Sequence, residues 1–243
     1  MQFWFRVPAL LAVLFLTTVG LPGADPASPE SDYVLDSYLA ASRTQHDRLN
    51  GSTTEVSIDA EVPRLHKKGR LSALRRISRV GRITYDVLRF EGDNAVKNNV
   101  IARYLSAEVQ VRESGDTSLS IVQANYKFSY KGRRELEGRS LYVFDLKPRK
   151  KRQGLFKGTL WIDAGSYLPV RETGRFVKNP SIFIKKVQFT RDYEVKDGMA
   201  VVARLETTVE TRVAGPARIT VHYADYRLEP ALVNTGVIAA DSQ

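Results

Sequence analysis

The spacing of apolar residues changes period along the chain, and those changes divide it into elements. Val34, Leu35, Tyr38 and Leu39 recur at helical spacing, with Ser31 or Asp32 placed to cap the helix and Asn50-Gly51 placed to stop it. From Thr53 the period becomes two. Val56, Ile58, Ala60 and Val62 alternate with polar neighbours, as do Ile83, Tyr85 and Val87, which is the pattern of half-buried strands. A second helix is predicted over 94–110, where Val96, Val100, Tyr104 and Leu105 share a stripe and Asp93 or Asn94 is the cap. Beyond Ser118 almost everything alternates: Val122, Ala124, Tyr126, Phe128 and Tyr130, then Tyr142, Phe144 and Leu146. Further strands are predicted at 156–163, 168–177, 182–195, 199–213 and 217–228.

The segment 199–213 alternates most cleanly. Its odd positions run Met199, Val201, Ala203, Leu205, Thr207, Val209, Thr211 and Val213, while Arg204, Glu206, Glu210 and Arg212 stand on the even side. One dry and one charged face belong to an antiparallel sheet covered on one side only. Turn signals separate the strands at Lys131-Gly132, Lys196-Asp197-Gly198 and Gly215-Pro216. Helical segments are few and early, so the pattern is not alternating strand and helix. It predicts a mainly β, α+β fold: a long, curved antiparallel sheet with two helices available to cover its dry face.

The first thirty residues read differently. Arg6 precedes a charge-free apolar run from Val7 to Leu21, and small residues follow at Gly20, Gly23 and Ala24. This is the layout of a secretory signal peptide, and the run is shorter than the ~20 residues needed to span a bilayer. The predicted organisation is a signal peptide at 1–24, a disordered lead-in at 25–31, one domain at 32–230 and a tail at 231–243. Composition narrows the chemistry. The chain has 243 residues, a formal charge of +10 and no Cys, which excludes a thiol nucleophile, a Cys-ligated metal and a disulfide framework.

No nucleophile elbow, zinc-protease helix motif, dinucleotide fingerprint or phosphate loop occurs, and the three His (His46, His66, His222) are far apart. Neither an enzyme nor a bound metal or cofactor is expected. Two basic runs stand out. Arg64, Lys67, Lys68, Arg70, Arg75, Arg76, Arg79 and Arg82 occur with no acid between Glu61 and Asp86, and Lys147, Arg149, Lys150, Lys151, Arg152 and Lys157 with none between Asp145 and Asp163. Export argues against nucleic acid as their partner. Anionic headgroups attract such clusters at roughly 1 kcal/mol per charge, and the rival reading is a solvated face. The second run sits between two predicted strands, in an exposed loop.

Some of these strands also carry a family likeness. Phe156-Lys157-Gly158-Thr159-Leu160-Trp161-Ile162-Asp163 followed by Tyr167-Leu168-Pro169-Val170-Arg171 resembles the periplasmic lipoprotein-carrier group, LolA, LolB and RseB-like proteins. Tyr142-Val143-Phe144-Asp145-Leu146-Lys147-Pro148 is similar to that group's preceding strand, and Phe189-Thr190-Arg191-Asp192-Tyr193 with Asp197-Gly198 to its return strand. The resemblance implies an unclosed antiparallel β-barrel whose concave hydrophobic face is covered by N-terminal and inserted helices. It also implies a cavity for an acyl chain or lipoprotein.

On this reading the ligand-lining candidates are Ile58, Val62, Tyr85, Val87, Tyr126, Phe128, Val187, Phe189, Val201, Ala203, Leu205, Val209, Val221 and Tyr223. Each is also an ordinary core candidate, and only a shared unfilled cavity distinguishes the two. Arg75, Arg76, Arg79, Lys147, Arg149, Lys150, Lys151 and Arg152 are candidates to contact anionic headgroups or a partner. The expected partners are lipid acyl chains or lipoproteins, with an anionic membrane surface or an envelope protein as further ones, and the expected state is a monomer. The rival function is an envelope-sensing, protein-binding module using the convex charges Arg204, Glu206, Glu210 and Arg212. The N-terminal layout predicts that a tagged full-length chain enters the osmotic-shock fraction shortened by about 20–27 residues. Full-length retention in the membrane would refute the export reading.

Overall fold

The computed structural model describes residues 29–113 and 119–229. The expected signal peptide, the lead-in up to residue 28 and the tail at 231–243 lie outside the described residues. Ten antiparallel strands form one sheet in the order β3-β2-β1-β10-β9-β8-β7-β6-β5-β4, and β3 and β4 are its two unpaired edges. The strands are β1 (Ser52–Val62), β2 (Lys67–Ile77), β3 (Ile83–Gly92), β4 (Tyr126–Leu136), β5 (Arg139–Pro148), β6 (Phe156–Asp163), β7 (Pro169–Phe176), β8 (Ile184–Lys196), β9 (Met199–Thr211) and β10 (Pro216–Leu228). The sheet is therefore unclosed, an open half-barrel as the resemblance implies, built on the long antiparallel sheet that the alternation predicts.

Helix α1 (Pro29–Arg48) begins slightly earlier than its expected cap, with Pro29 in the first turn and Glu30 and Asp32 beside the positive helix end. Its stripe Val34, Leu35, Tyr38 and Leu39 is buried against Tyr126, Tyr142, Phe144, Leu146, Phe156, Leu160 and Ile162, forming a first core over β4–β7. The second helical stretch has three parts that follow without a break: α2 (Asn94–Val96), a π-helical turn at Lys97–Ile101 and α3 (Ala102–Glu113). Asp93 caps it, accepting the Ala95 amide at 2.7 Å. The wider turn brings Ile101 into the core with Val96, five residues on, which a regular helical period does not anticipate. These two residues, with Val56, Ile58, Ala60, Leu71, Ala73, Leu205, Ile219 and Val221, make a second core over β1, β2, β9 and β10. Phe189 of β8 packs against both cores.

Several expectations change. The basic run over 67–77 is itself a strand, β2, whose inward parity is Gly69, Leu71, Ala73, Arg75 and Ile77. Its charges mask the alternation, because Arg75 takes an inward position and Leu74 stands among Lys68, Arg70, Ser72 and Arg76 on the other side. Residues 122–125 form a turn, with Tyr126 donating to the Val122 carbonyl, so β4 starts later than the alternation suggests. Lys131-Gly132 is not a hairpin turn. It is a bulge inside β4, where the register slips between Tyr130 and Arg133, and the turn comes at Glu137-Gly138 with both φ positive. Asp197-Gly198 is the expected hairpin, again with both φ positive. Ala203 falls at a second bulge, left over where Tyr193 pairs Val202 and Asp192 pairs Arg204, so the alternation of 199–213 is not continuous. Val213 lies beyond the strand and is exposed.

One close contact lets the sheet bend over the first core. Gly158 of β6 and Gly174 of β7 are directly paired. A Cβ on Gly158 would lie 1.8 Å from the Thr173 carbonyl oxygen, and one on Gly174 would lie 2.3 Å from the Phe156 ring. Phe156 and Phe189 occupy that space edge to face, 4.9 Å between centroids. Gly158→Ala and Gly174→Ala should each cost about 3 kcal/mol or more in denaturant unfolding, while Gly165→Ala, open apart from Asp163 Oδ1 at 3.5 Å, should stay within about 0.5 kcal/mol. Equal stability of all three variants would refute the close-approach account.

Candidate functional site

The covered face is not apolar throughout. Between the two cores runs a seam of charged and phenolic groups. Glu172 of β7 is buried, with its side chain 4% exposed, and its two oxygens are separately engaged. Arg191 Nη1 donates to Oε2 at 3.0 Å and the Tyr193 hydroxyl donates to Oε1 at 2.7 Å. The Arg191 guanidinium also lies 5.7 Å from the centre of the Phe189 ring. A buried carboxylate without partners would be strongly disfavoured here, and Arg191 and Tyr193 satisfy both of its oxygens.

The seam continues under α3. Glu108 accepts from Arg75 of β2 at 2.7 and 3.0 Å and from the Tyr85 hydroxyl of β3 at 2.5 Å. One turn earlier, the hydroxyls of Tyr104 and Tyr223 are 3.1 Å apart. At the end of the helix Arg112 donates to the Gly81 carbonyl at 3.1 Å and to Asn50 Oδ1 at 2.7 Å. None of α3's residues is fully buried. Val96 and Ile101 anchor the helical stretch at its start, and beyond them α3 is tied down chiefly by polar contacts. The π turn sits between the anchored and the tethered parts, a position where such turns often act as hinges.

In the middle of the sheet, α1 completes a strand edge. Beyond Arg204, β9 has no partner in β10, and the Gln45 amide accepts the Ala200 N–H at 3.0 Å and donates to the Ala200 carbonyl at 2.6 Å. A side chain thus replaces a missing ladder rung. Next to it a hollow of about 340 Å³ is lined by Ala41, Thr44, Arg48, Leu168 and Val195 among others.

The lining candidates do not converge on one space. Ile58, Val62, Leu205 and Val221 are buried in the second core, with Tyr85, Val209 and Tyr223 packed against it. Tyr126 is buried in the first core, and Phe128 packs against it. Val187 and Val201 are buried, Ala203 is half-buried at its bulge, and Val87 is exposed near the sheet edge. Among these residues only Phe189 belongs to both cores.

The basic candidates also divide. Arg75 is taken inward by Glu108, and Arg76 pairs with Asp86 at 2.9 Å. Arg79 lies in the turn after β2, its Cγ 3.5 Å from where a Gly51 Cβ would be. Lys147 is exposed on β5, and Arg149, Lys150, Lys151 and Arg152 are exposed in the connection after it, as expected. On the outer face, Arg204 is paired with Glu206 and Glu210 with Lys186.

Glu172, Arg191, Tyr193, Tyr104 and Glu108 are absent from the sequence-based candidates. A signal for three of the seam residues was present: Arg75, Arg191 and Tyr193 share the parity of buried apolar residues on their strands. Glu108 continues the stripe of Val100 and Tyr104 four residues on, but helical spacing alone does not say which strand faces it.

No protein-family model and no curated protein matches the chain. Among solved structures it is similar to a DUF1329 family protein from Desulfovibrio piger, with 16% identity, covering 82% of this chain and 94% of that one at a TM-score of 0.41. It is similar to a putative outer membrane lipoprotein-sorting protein domain from Vibrio parahaemolyticus, with 11% identity, 82% and 94% coverage and a TM-score of 0.39. It is also similar to a LolA superfamily protein from Nitrosomonas europaea, with 11% identity, 82% and 93% coverage and a TM-score of 0.36.

The seam makes stability sensitive to alkali. Burial raises the Tyr85, Tyr104, Tyr193 and Tyr223 phenols above their ordinary value, with the charge of Glu108 or Glu172 or a neighbouring phenol adding to it, and pushes Tyr126 up to about 12. Burial likewise raises Tyr38 on α1, with Glu172 second. A phenol held protonated by the fold stabilises it fully below the unfolded value of about 10 and loses that contribution as pH rises toward its folded value. Each such group removes up to ~1.4 kcal/mol per pH unit in that window. Stability should therefore be flat below about pH 9 and fall steeply above pH 10, with phenolate absorbance rising together with unfolding. Gradual titration of all tyrosines near pH 10 in a folded protein would refute this.

Proposed function

We propose that this protein is a non-enzymatic, exported binding protein of the periplasm. It shelters a lipid or lipoprotein acyl chain on the concave face of its half-barrel, in outer-membrane lipoprotein sorting or envelope lipid handling. Residues 32–230 act as one domain, and residues 1–24 direct export. The observation that carries this reading is the way α3 is attached. It covers apolar residues of β1, β2, β9 and β10, yet is tied down by Glu108, Tyr104 and Arg112 and contributes no fully buried residue of its own. A cover held by a few polar contacts can lift without emptying a core, because water replaces each hydrogen bond at a net cost of only about 1–3 kcal/mol.

Lifting α3 about the π turn would expose Ile58, Leu71, Ala73, Leu205, Ile219 and Val221. An acyl chain laid on them gains about 0.8 kcal/mol per buried methylene, so a chain of ordinary length more than offsets the broken latch. The lining candidates of the second core then become ligand contacts in the open form, with Phe189 linking them to the first core.

Glu108→Gln keeps the shape of the latch and removes its charge. Uptake of a fluorescent fatty-acid probe should become about fivefold faster or more, which corresponds to about 1 kcal/mol less holding the cover down. Native mass spectrometry of the wild type purified from a membrane-containing host should show bound lipid. Absence of both bound lipid and probe uptake, in the wild type and in Glu108→Gln alike, would overturn the proposal and leave the protein-binding module as the better reading.

A further inference from the structure

The two ends of the half-barrel differ in chemistry. Four connections meet at one end: residues 63–66 after β1, 149–155 after β5, 177–183 after β7 and 212–215 after β9. Together they hold Arg64, Arg149, Lys150, Lys151, Arg152, Lys178 and Arg212, and not one Asp or Glu. The hairpin connections at the other end, 78–82, 137–138, 164–168 and 197–198, hold Arg79 and Arg82 balanced by Glu137 and Asp197. Sheet order makes the first four connections neighbours, since β1–β2, β9–β10, β7–β8 and β5–β6 follow one another around the barrel.

The same end carries exposed apolar tips. Ile182 is 79% exposed, Val213 77%, Phe183 63% and Leu65 49%. They are held close by contacts between connections. Arg212 donates its backbone N–H to the Phe183 carbonyl at 2.9 Å and its Nε to the Ile182 carbonyl at 2.7 Å. The Arg64 side chain lies 3.1 Å from where a Gly215 Cβ would be, and the Val177 amide donates to the Leu155 carbonyl at 3.0 Å. Large apolar residues at loop tips contribute nothing to the cores and are costly to leave in water. Their setting is apolar side chains framed by cations, with no acid in the four connections and with Asp93, at the exit of β3 on the same end, paired to Lys67 at 3.1 Å, and it complements one kind of surface.

We infer that this rim docks on an anionic lipid bilayer, with Leu65, Ile182, Phe183 and Val213 entering the headgroup–acyl boundary and the lysines and arginines of the four connections engaging phosphate headgroups. A protein partner would need acids placed opposite each cation. A bilayer needs only a negative surface, and it accepts apolar tips at the same depth that favours the cations. Docking at this rim is separable from uptake on the concave face, and its test uses no acyl probe.

The probe is vesicles of phosphatidylcholine alone or with half phosphatidylglycerol, floated with the purified protein. Binding should require phosphatidylglycerol and weaken strongly between low and physiological salt. Lys150→Ala with Lys151→Ala should reduce binding about thirtyfold at low salt, at roughly 1 kcal/mol per charge. Phe183→Trp should shift its emission to the blue on binding and be quenched by brominated acyl chains, above the background of the native tryptophans, whereas Val80→Trp at the opposite end should not. These positions are exposed, so circular dichroism and melting should match the wild type. Absence of vesicle binding, binding indifferent to anionic lipid, or equal quenching at 80 and 183 would each overturn the inference. So would an apolar rim found covered by a protein partner that vesicles cannot displace.

Discussion

A sheet that curls without closing has an apolar face that must be kept from water and no opposing sheet to do it. Each of the two cores answers this in the same way, by laying a helix over half of the concave surface. The answers differ in strength. α1 inserts a stripe of four buried residues, including Tyr38, and repairs the free edge of β9 through Gln45. The second helical stretch inserts Val96 and Ile101 and then continues as α3, which adds only the partly buried Tyr104 and Leu105 to its polar ties. Burial of apolar area favours the first attachment by several kcal/mol more than the second.

The polar seam follows from the same geometry. Side chains from β2, β3, β7, β8 and β10 carry polar groups onto the covered face, and charge pairing and hydrogen bonding are the way to satisfy them. Glu172 with Arg191 and Tyr193, and Glu108 with Arg75 and Tyr85, are each neutralised and hydrogen-bonded within one small cluster. Such clusters add little net stability over an apolar replacement but are costly to break one member at a time. They specify which helix lies over which strand, and they do so at the boundary where one cover is firm and the other light.

The connections at the basic end are shaped by a different demand. Their lysines and arginines stand in the loops beyond the strands, whereas much of the run within β2 is paired on the sheet: Arg70 meets Asp59, Arg76 meets Asp86 and Lys67 meets Asp93. Two basic runs that look alike as sequence thus have unlike roles. One laces the outer face of a strand to its neighbours, and the other projects past the sheet beside exposed apolar tips.

Periodicity alone carries much of this protein. The four residues of the α1 stripe, the strands at 52–62 and 156–163, the Asp93 cap and the Asp197-Gly198 hairpin follow from spacing and turn chemistry, because each depends on residues close in sequence. The long antiparallel sheet with early helices follows from their sum. What spacing could not reach are the places where the chain departs from its period: β2 under its charges, the bulges at Gly132 and Ala203, and the π turn that turns Ile101 inward. The pairing of Glu108 with Arg75 across 33 residues, and of Gln45 with Ala200 across 155, belongs to the tertiary structure alone. A strand's parity says which side of a sheet a residue takes, but only the path of the helix over that sheet decides whom it meets there.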